Sequence, residues 1–288
     1  MQELPFLLVI LSSIAHGYWN FLLKRAQNKD AFLGLSKLAE PVIYLIPFIA
    51  AVSVWGLDPA SLWYAGVGTL LSVVNYFCLA NSYKRLDLSI AYPVSRSSTL
   101  FLPFLAYFFF QERIDVIGWC SVILVTVGVF VVQLKSVSLS NLAWNRQSSN
   151  SGLLFALCAA FTVALYTLWG KESVRYIHPF IYMYCYTLAS SAYFLPSLRR
   201  LDRRIVKEEW QRNRWSILTV SVLNTLSFVL MLMALNMGKV TYVGALRQVS
   251  LVVGVGLGWL VLRESLSLPR VLGVSLIIVG ACLTYIAK

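Results

Sequence analysis

The chain reads as an all-α polytopic membrane protein, with ten transmembrane helices in two inverted five-helix repeats. Three observations predict this. Hydrophobic residues make up 59% of the 288 and charged residues 12%, with a mean hydropathy of +0.73, far from soluble globular usage. Ten apolar runs approach the roughly 20 residues that a helix needs to cross a hydrocarbon core of about 30 Å. A shift of 152 positions lays the second half on the first, so that Glu112 falls on Glu264, Gly128 on Gly280, and Arg96 on Gln248, beside Arg247. Five runs per half is an odd number, so the second half enters the bilayer in the opposite orientation.

The runs are apolar all round and do not alternate, which favours helices over barrel strands. The first, 4–23, carries His16, Trp19 and Asn20 near its end and stops at Lys24-Arg25. It has no basic leader and no small-residue cleavage site, so it reads as a span and not as a signal peptide. The second, 31–54, holds Lys37, Glu40, Pro41 and Pro47; the prolines remove backbone hydrogen bonds and bend the axis beside the carboxylate. The third, 61–82, contains Asn75 and ends at Lys84-Arg85. The fourth, 89–110, sets Arg96 between Pro93 and Pro103 and ends at Gln111-Glu112, while the fifth, 115–134, carries Ser121 and Gly128.

A linker at 138–150 joins the two repeats, 1–137 and 151–288. The sixth run, 152–170, brings Tyr166 and Trp169 to Lys171, and the seventh, 179–198, carries Tyr186 and meets a basic loop at 199–214. The eighth, 214–237, has Asn224 near its middle. The ninth, 241–262, holds Arg247 and the small residues Gly254, Gly256 and Gly258, and the tenth, 268–286, spaces Gly273 and Gly280 along one face.

Charge sets the orientation. The loops after odd-numbered runs hold 16 Lys and Arg, seven of them between Arg199 and Arg214, against five on the other face. By the positive-inside rule both termini lie outside and the 199–214 loop is cytoplasmic. The net charge of +12 is thus a topology signal that also suits anionic lipid headgroups, not a nucleic-acid footprint. With no targeting segment, a bacterial inner membrane is the expected location. Cys78, Cys120, Cys158, Cys185 and Cys282 all fall inside apolar runs, which indicates neither a disulfide framework nor a metal site. No cofactor is implied, and the partners expected are a small-molecule substrate and the bilayer, for a monomer or a homodimer.

Inverted repeats are the architecture of many secondary transporters, with the substrate site near the midplane between the halves. Ionisable groups at that depth are expensive, so each is a functional candidate. Counting about 1.5 Å of rise per residue, His16, Glu40, Asn75 and Arg96 fall roughly 9 to 13 Å from the basic face. Arg247 lies about as deep from the other face, as inversion requires, and Asn224 is near the middle. Bland roles stand beside each of these. Glu40 can pair with Lys37 or with Arg96, His16 can bond a backbone carbonyl, Arg96 can snorkel, and Asn75 and Asn224 can be helix–helix glue. Trp19, Trp169, Tyr166 and Tyr186 can be core or interfacial belt.

The motifs resemble the drug/metabolite transporter superfamily, in its EamA-like branch, over nearly the whole chain. They are His16-Gly17-Tyr18-Trp19-Asn20 before Lys24, Tyr166-Thr167-Leu168-Trp169-Gly170-Lys171, and Ala91-Tyr92-Pro93 with Leu102-Pro103 toward Glu112. Val243-Gly244-Ala245 toward Glu264 and the Gly273…Gly280 spacing complete the set. Ser121 replaces the glycine that the family pattern prefers, and the ninth run lacks the proline pair. Several relatives resemble a termini-inside topology, against the charge count here. The resemblance implies transport of a small metabolite or drug, often with protons, and the ending of the first helix is similar to a subgroup linked to phosphonate use.

The mechanism expected is alternating access, with the halves rocking around a central cavity. Arg96 and Arg247 would hold a carboxylate, phosphonate or phosphate group, for which guanidinium is well shaped. Glu40 or His16 would carry a proton, and Asn75, Asn224, Trp19, Asn20 and Tyr166 would complete an anion or zwitterion site. If Glu40 is free of Arg96, the site could hold an organic cation against aromatic faces instead. A channel or a scaffold is the reading from another class. An enzyme is disfavoured, because no zinc-binding histidine pair, no Gly-x-Ser-x-Gly elbow and no paired intramembrane carboxylates are present.

Overall fold

The computed structural model describes residues 1–86, 88–134 and 150–287. Residues 138–149 of the expected linker lie outside them, as do Lys135, Arg146 and Lys288 of the charge count. Among the described residues there are thirteen α-helices. The first repeat holds α1 (Glu3–Lys24), α2 (Lys29–Ile43), α3 (Leu45–Trp55), α4 (Leu62–Arg85), α5 (Leu88–Ser95), α6 (Ser98–Phe110) and α7 (Val116–Val132), with a 3₁₀ turn at Pro59–Ser61 leading into α4. The second holds α8 (Asn150–Ser173), α9 (Pro179–Arg200), α10 (Arg203–Met237), α11 (Val240–Leu246), α12 (Val249–Leu262) and α13 (Leu268–Ile286).

Helix pairing follows the repeat. The first run packs on the eighth, through α1 and α10, and its image is the third on the sixth, through α4 and α8. The pair α2–α9, the pair α6–α11 and the pair α7–α13 each join one run to its own counterpart. Along every pair the contacts advance in opposite senses. Asn75 donates to the Ala159 carbonyl at 2.8 Å, whereas the carbonyl of Tyr64, earlier on the same helix α4, accepts from Trp169 Nε1 at 2.8 Å. In the α7–α13 seam a Cβ on Gly128 would meet the Gly273 carbonyl at 2.8 Å, and Ser121 donates to the Gly280 carbonyl at 2.9 Å. These two contacts are images of one another under the 152-residue shift. Antiparallel counterparts are what an inverted repeat demands, and small residues let the backbones close up where lipid supplies no hydrophobic drive.

All ten apolar runs are helical, but three are broken. The second bends by 43° between α2 and α3, just after Pro41, whose missing N–H leaves the Lys37 carbonyl free. The Ser191 hydroxyl takes that carbonyl at 2.5 Å. The fourth and ninth break at Arg96-Ser97 and Arg247-Gln248, within one residue of the repeat register. There the amides of Ser97 and Gln248 donate to carbonyls only three residues back, those of Val94 and Ala245. Among the described residues, six helices, or seven with the bent pair, are long and apolar enough to cross a membrane, so the count of ten spans is not reached by length and composition. The break at Arg96, the 17 residues of α7 and the polar, arginine-ended α9 explain the shortfall.

One boundary is corrected. The basic stretch at 199–214 is not a loop, because α9 runs to Arg200 and α10 starts at Arg203 and continues for 35 residues. The Asp202 side chain caps α10 by accepting from the Arg204 amide at 2.8 Å, and Arg204 pairs with Glu208 one turn on. Such caps and i,i+4 pairs extend a helix into water. Gln111 and Arg263, again in register, both adopt the left-handed conformation at φ 55°. The next amides, of Glu112 and Glu264, reach back six residues to Ala106 and Gly258, a Schellman closure that aims each glutamate across the bundle.

Candidate functional site

A cavity of about 290 Å³ lies between the repeats. All nine residues singled out from the sequence, His16, Trp19, Asn20, Glu40, Asn75, Arg96, Tyr166, Asn224 and Arg247, line it. They arrive from five helices and two helix breaks. The breaks matter physically: Arg96 and Arg247 sit where the helical cylinder is interrupted, so their guanidiniums enter the cavity beside polar groups of the turn, Ser95 and Gln248.

Arg247 is tightly held. It donates to the Ser12 hydroxyl at 2.7 Å and the Ser227 carbonyl at 3.3 Å, meets His16 Nδ1 at 3.1 Å, and lies 4.8 Å from the centre of the Phe228 ring. His16 Nδ1 also accepts from Trp19 Nε1 at 3.2 Å. Asn20 donates back to the His16 carbonyl at 2.7 Å. Arg96 lies 5.1 Å from the centre of the Tyr92 ring. Among the described residues neither guanidinium has a carboxylate within ion-pair reach.

Glu40 does not neutralise Arg96. Its side chain is fully buried and pairs with Lys37 at 2.9 Å, and it accepts from Asn224 Nδ2 at 2.9 Å. The sequence left both partners for Glu40 open, and helical spacing of three residues favours the nearer one. Asn75 spends its amide on the Ala159 carbonyl and on Thr162 Oγ1, at 2.8 and 3.2 Å, tying α4 to α8 at the cavity wall. Tyr76, Tyr83 and Gln248 also line the cavity and were not singled out. Gln248 carried a signal, since it is the repeat image of Arg96; the tyrosines carried none beyond their spans.

The cavity is open at one end. A vestibule of about 490 Å³ shares His16, Asn20 and Arg96 with it and runs out past Lys24, Glu264 and Arg270. There Lys24 pairs with Glu264, and their side chains are 54% and 31% exposed. The Lys24 ammonium donating to Glu264 holds that carboxyl below its usual range. Toward the other end, Leu102, Leu168, Leu232, Leu235, Val243 and Leu246 form a buried apolar plug. Beyond it Glu112 accepts from Lys171 at 2.5 Å and from the Val240 amide at 3.0 and 3.2 Å. Lys171 also donates to the Gly238 carbonyl at 2.8 Å, and the pair is 15% and 8% exposed. The recess at that face shares no lining residue with the cavity.

Fold and site together define an integral multi-pass membrane protein built from an inverted repeat around a charged central cavity. The model of the EamA-like transporter family matches residues 4–134 and again 150–286, one match per repeat, and the chain belongs to that family. It is a membrane transporter of the drug/metabolite transporter superfamily. A solved crystal structure of a protein 16% identical to it, matched over 99% of this chain and 98% of that one, gives a TM-score of 0.78 and speaks for the fold alone. No curated protein matches the sequence.

Proposed function

We propose that this transporter carries a small organic anion or zwitterion, bearing a carboxylate, phosphonate or phosphate group, by proton-coupled alternating access. The observation that carries the reading is the charge balance of the cavity. Lys37 neutralises Glu40, so the guanidiniums of Arg96 and Arg247 remain as uncompensated charges on the wall. Two like charges in a confined, poorly hydrated space repel, and an anion between them relieves the cost. The organic-cation reading needs a free Glu40, and that carboxylate is already taken by Lys37 and Asn224.

Alternating access is supported by the two ends. Symmetry-equivalent glutamates each meet a lysine from the opposite repeat, one pair sealed and the other open to the vestibule. Exchanging these two environments converts an opening on one face into an opening on the other, the rocking expected of inverted repeats. Protonation of Glu40 releases Lys37 toward the cavity, which links proton occupancy to anion affinity. His16, between Arg247 and Trp19, is the second proton carrier in this reading.

A thermal-shift screen of purified protein against anionic, zwitterionic and cationic metabolites tests the proposal, because a ligand bound to the native state raises the melting temperature. Stabilisation by an acidic or zwitterionic compound, lost in Arg96→Ala and Arg247→Ala proteins that still melt cooperatively, is the expected result. Stabilisation by cations alone, unchanged in both variants, would overturn it.

A further inference from the structure

A second binding surface lies outside the cavity, at the turn between α9 and α10. A groove of about 620 Å³ there has an apolar floor of Leu35, Leu198, Leu201 and Val206. Its rim is cationic, with Arg199 from the last turn of α9 and Arg203 and Lys207 from the first turns of α10. Trp210 completes the wall. Two observations place this groove at the membrane surface. The 35 residues of α10 span about 52 Å, well beyond a hydrocarbon core of about 30 Å, so its first turns emerge from the bilayer. Trp210 and Trp215 on those turns are both exposed, as in the aromatic belt at the headgroup level.

The cations are arranged as if for a counter-ion that the chain does not supply. Arg203 and Lys207 stand one turn apart on one face, where like charges repel by a few tenths of a kcal/mol, and basic residues in a first turn oppose the helix dipole. The nearby acids are engaged elsewhere. Glu208 pairs with Arg204, while Glu209 is buried and accepts from the Asn28 amide at 3.0 Å and from Asn213 at 2.7 Å. Glu209 thereby fixes α10 against the start of α2 and holds the groove's walls in place. Among the described residues, Arg199, Arg203 and Lys207 have no ion-pair partner.

We infer that this groove is a site for an anionic phospholipid, with acyl chain on the leucine and valine floor and headgroup phosphate among Arg199, Arg203 and Lys207. Neither half of the surface suits another occupant as well. A free anion leaves the apolar floor in water, and a neutral lipid leaves the three cations uncompensated. The site is independent of the central cavity and of what that cavity carries.

The test is native mass spectrometry of the full chain with phosphatidylglycerol and with phosphatidylcholine of the same acyl chains. Phosphatidylglycerol should be retained selectively, and an Arg199→Gln/Arg203→Gln/Lys207→Gln protein should bind it on the order of a hundredfold more weakly, at about fivefold per charge. The corresponding Arg199→Lys/Arg203→Lys protein should keep it. Equal retention of the two lipids, unchanged retention in the triple variant, or displacement by millimolar inorganic phosphate would overturn the inference. A second measurement needs no cationic variant. In vesicles, brominated phosphatidylglycerol should quench tryptophan fluorescence beyond brominated phosphatidylcholine, and Trp210→Phe should remove that excess; no excess counts against the site.

Discussion

The two ends of the molecule are built from the same parts and sit in different states. At one end Glu112 meets Lys171 and the first amide of α11, with side-chain exposures of 8% and 15% behind a plug of leucines and valines. At the other, Glu264 meets Lys24 with exposures of 31% and 54%, at the rim of a vestibule that reaches Arg96. The covalent pattern is shared down to the left-handed residue before each glutamate. The partners differ too, since Glu264 also meets Arg270 at 3.4 Å and the two lysines are not repeat images, but burial decides what an ion pair is worth. The same two groups act as a seal where water is excluded and as a loosely held rim where it is not.

Three measurements can break or sharpen that comparison. The largest effect is expected from removing one partner at the sealed end. Lys171→Met strands a buried carboxylate and should cost about 3 kcal/mol, read as a fall in melting temperature, whereas Lys24→Met should cost less than about 1 kcal/mol. Equal losses would mean that the two pairs share one environment. Next, cysteines introduced at Ser265, exposed on the vestibule wall, and at Val243, in the plug, should react with a membrane-impermeant thiol reagent at rates differing about tenfold or more, since the thiolate needs water to form and react. Comparable rates would deny that only one end is open.

The smallest effect concerns acid. Because Lys24 depresses the Glu264 carboxyl, the pair contributes stability above the unfolded-state value and loses it only as pH falls through the lower folded value. The gap in melting temperature between the wild type and Glu264→Gln should therefore persist at pH 5 and close in more acid solution. A gap that closes near neutral pH would show that the lysine is not the cause.

Much of this comparison was legible from residue order. The 152-residue register located Glu112 and Glu264, the small positions Ser121, Gly128, Gly273 and Gly280 and the approximate level of Arg96 and Arg247, because a duplicated helix keeps its polar and small positions; that the small positions meet across α7 and α13 came from the structure. Pro93 pointed to the break beside Arg96. Nothing local pointed to the matching break at Arg247-Gln248, which has no proline and follows only from its place in the repeat. The extension of α10 back to Arg203 was hidden by its charge, since a run of arginines reads as a loop until Asp202 and Glu208 are seen to cap and pair it.

Composition, periodicity and duplication settle the class of molecule, the helical segments and the layer of polar groups, because each depends on neighbours within a few turns or on a fixed register. The partners of those groups depend on which helices lie side by side. Lys24 finds Glu264, and Glu40 finds Asn224, across 240 and 184 residues, and no local pattern encodes such a meeting. The open and sealed ends follow from still less local information. Two related motifs, each a glutamate after a left-handed residue, end in different surroundings because of how the rest of the chain packs around them, and that is a property of the folded state.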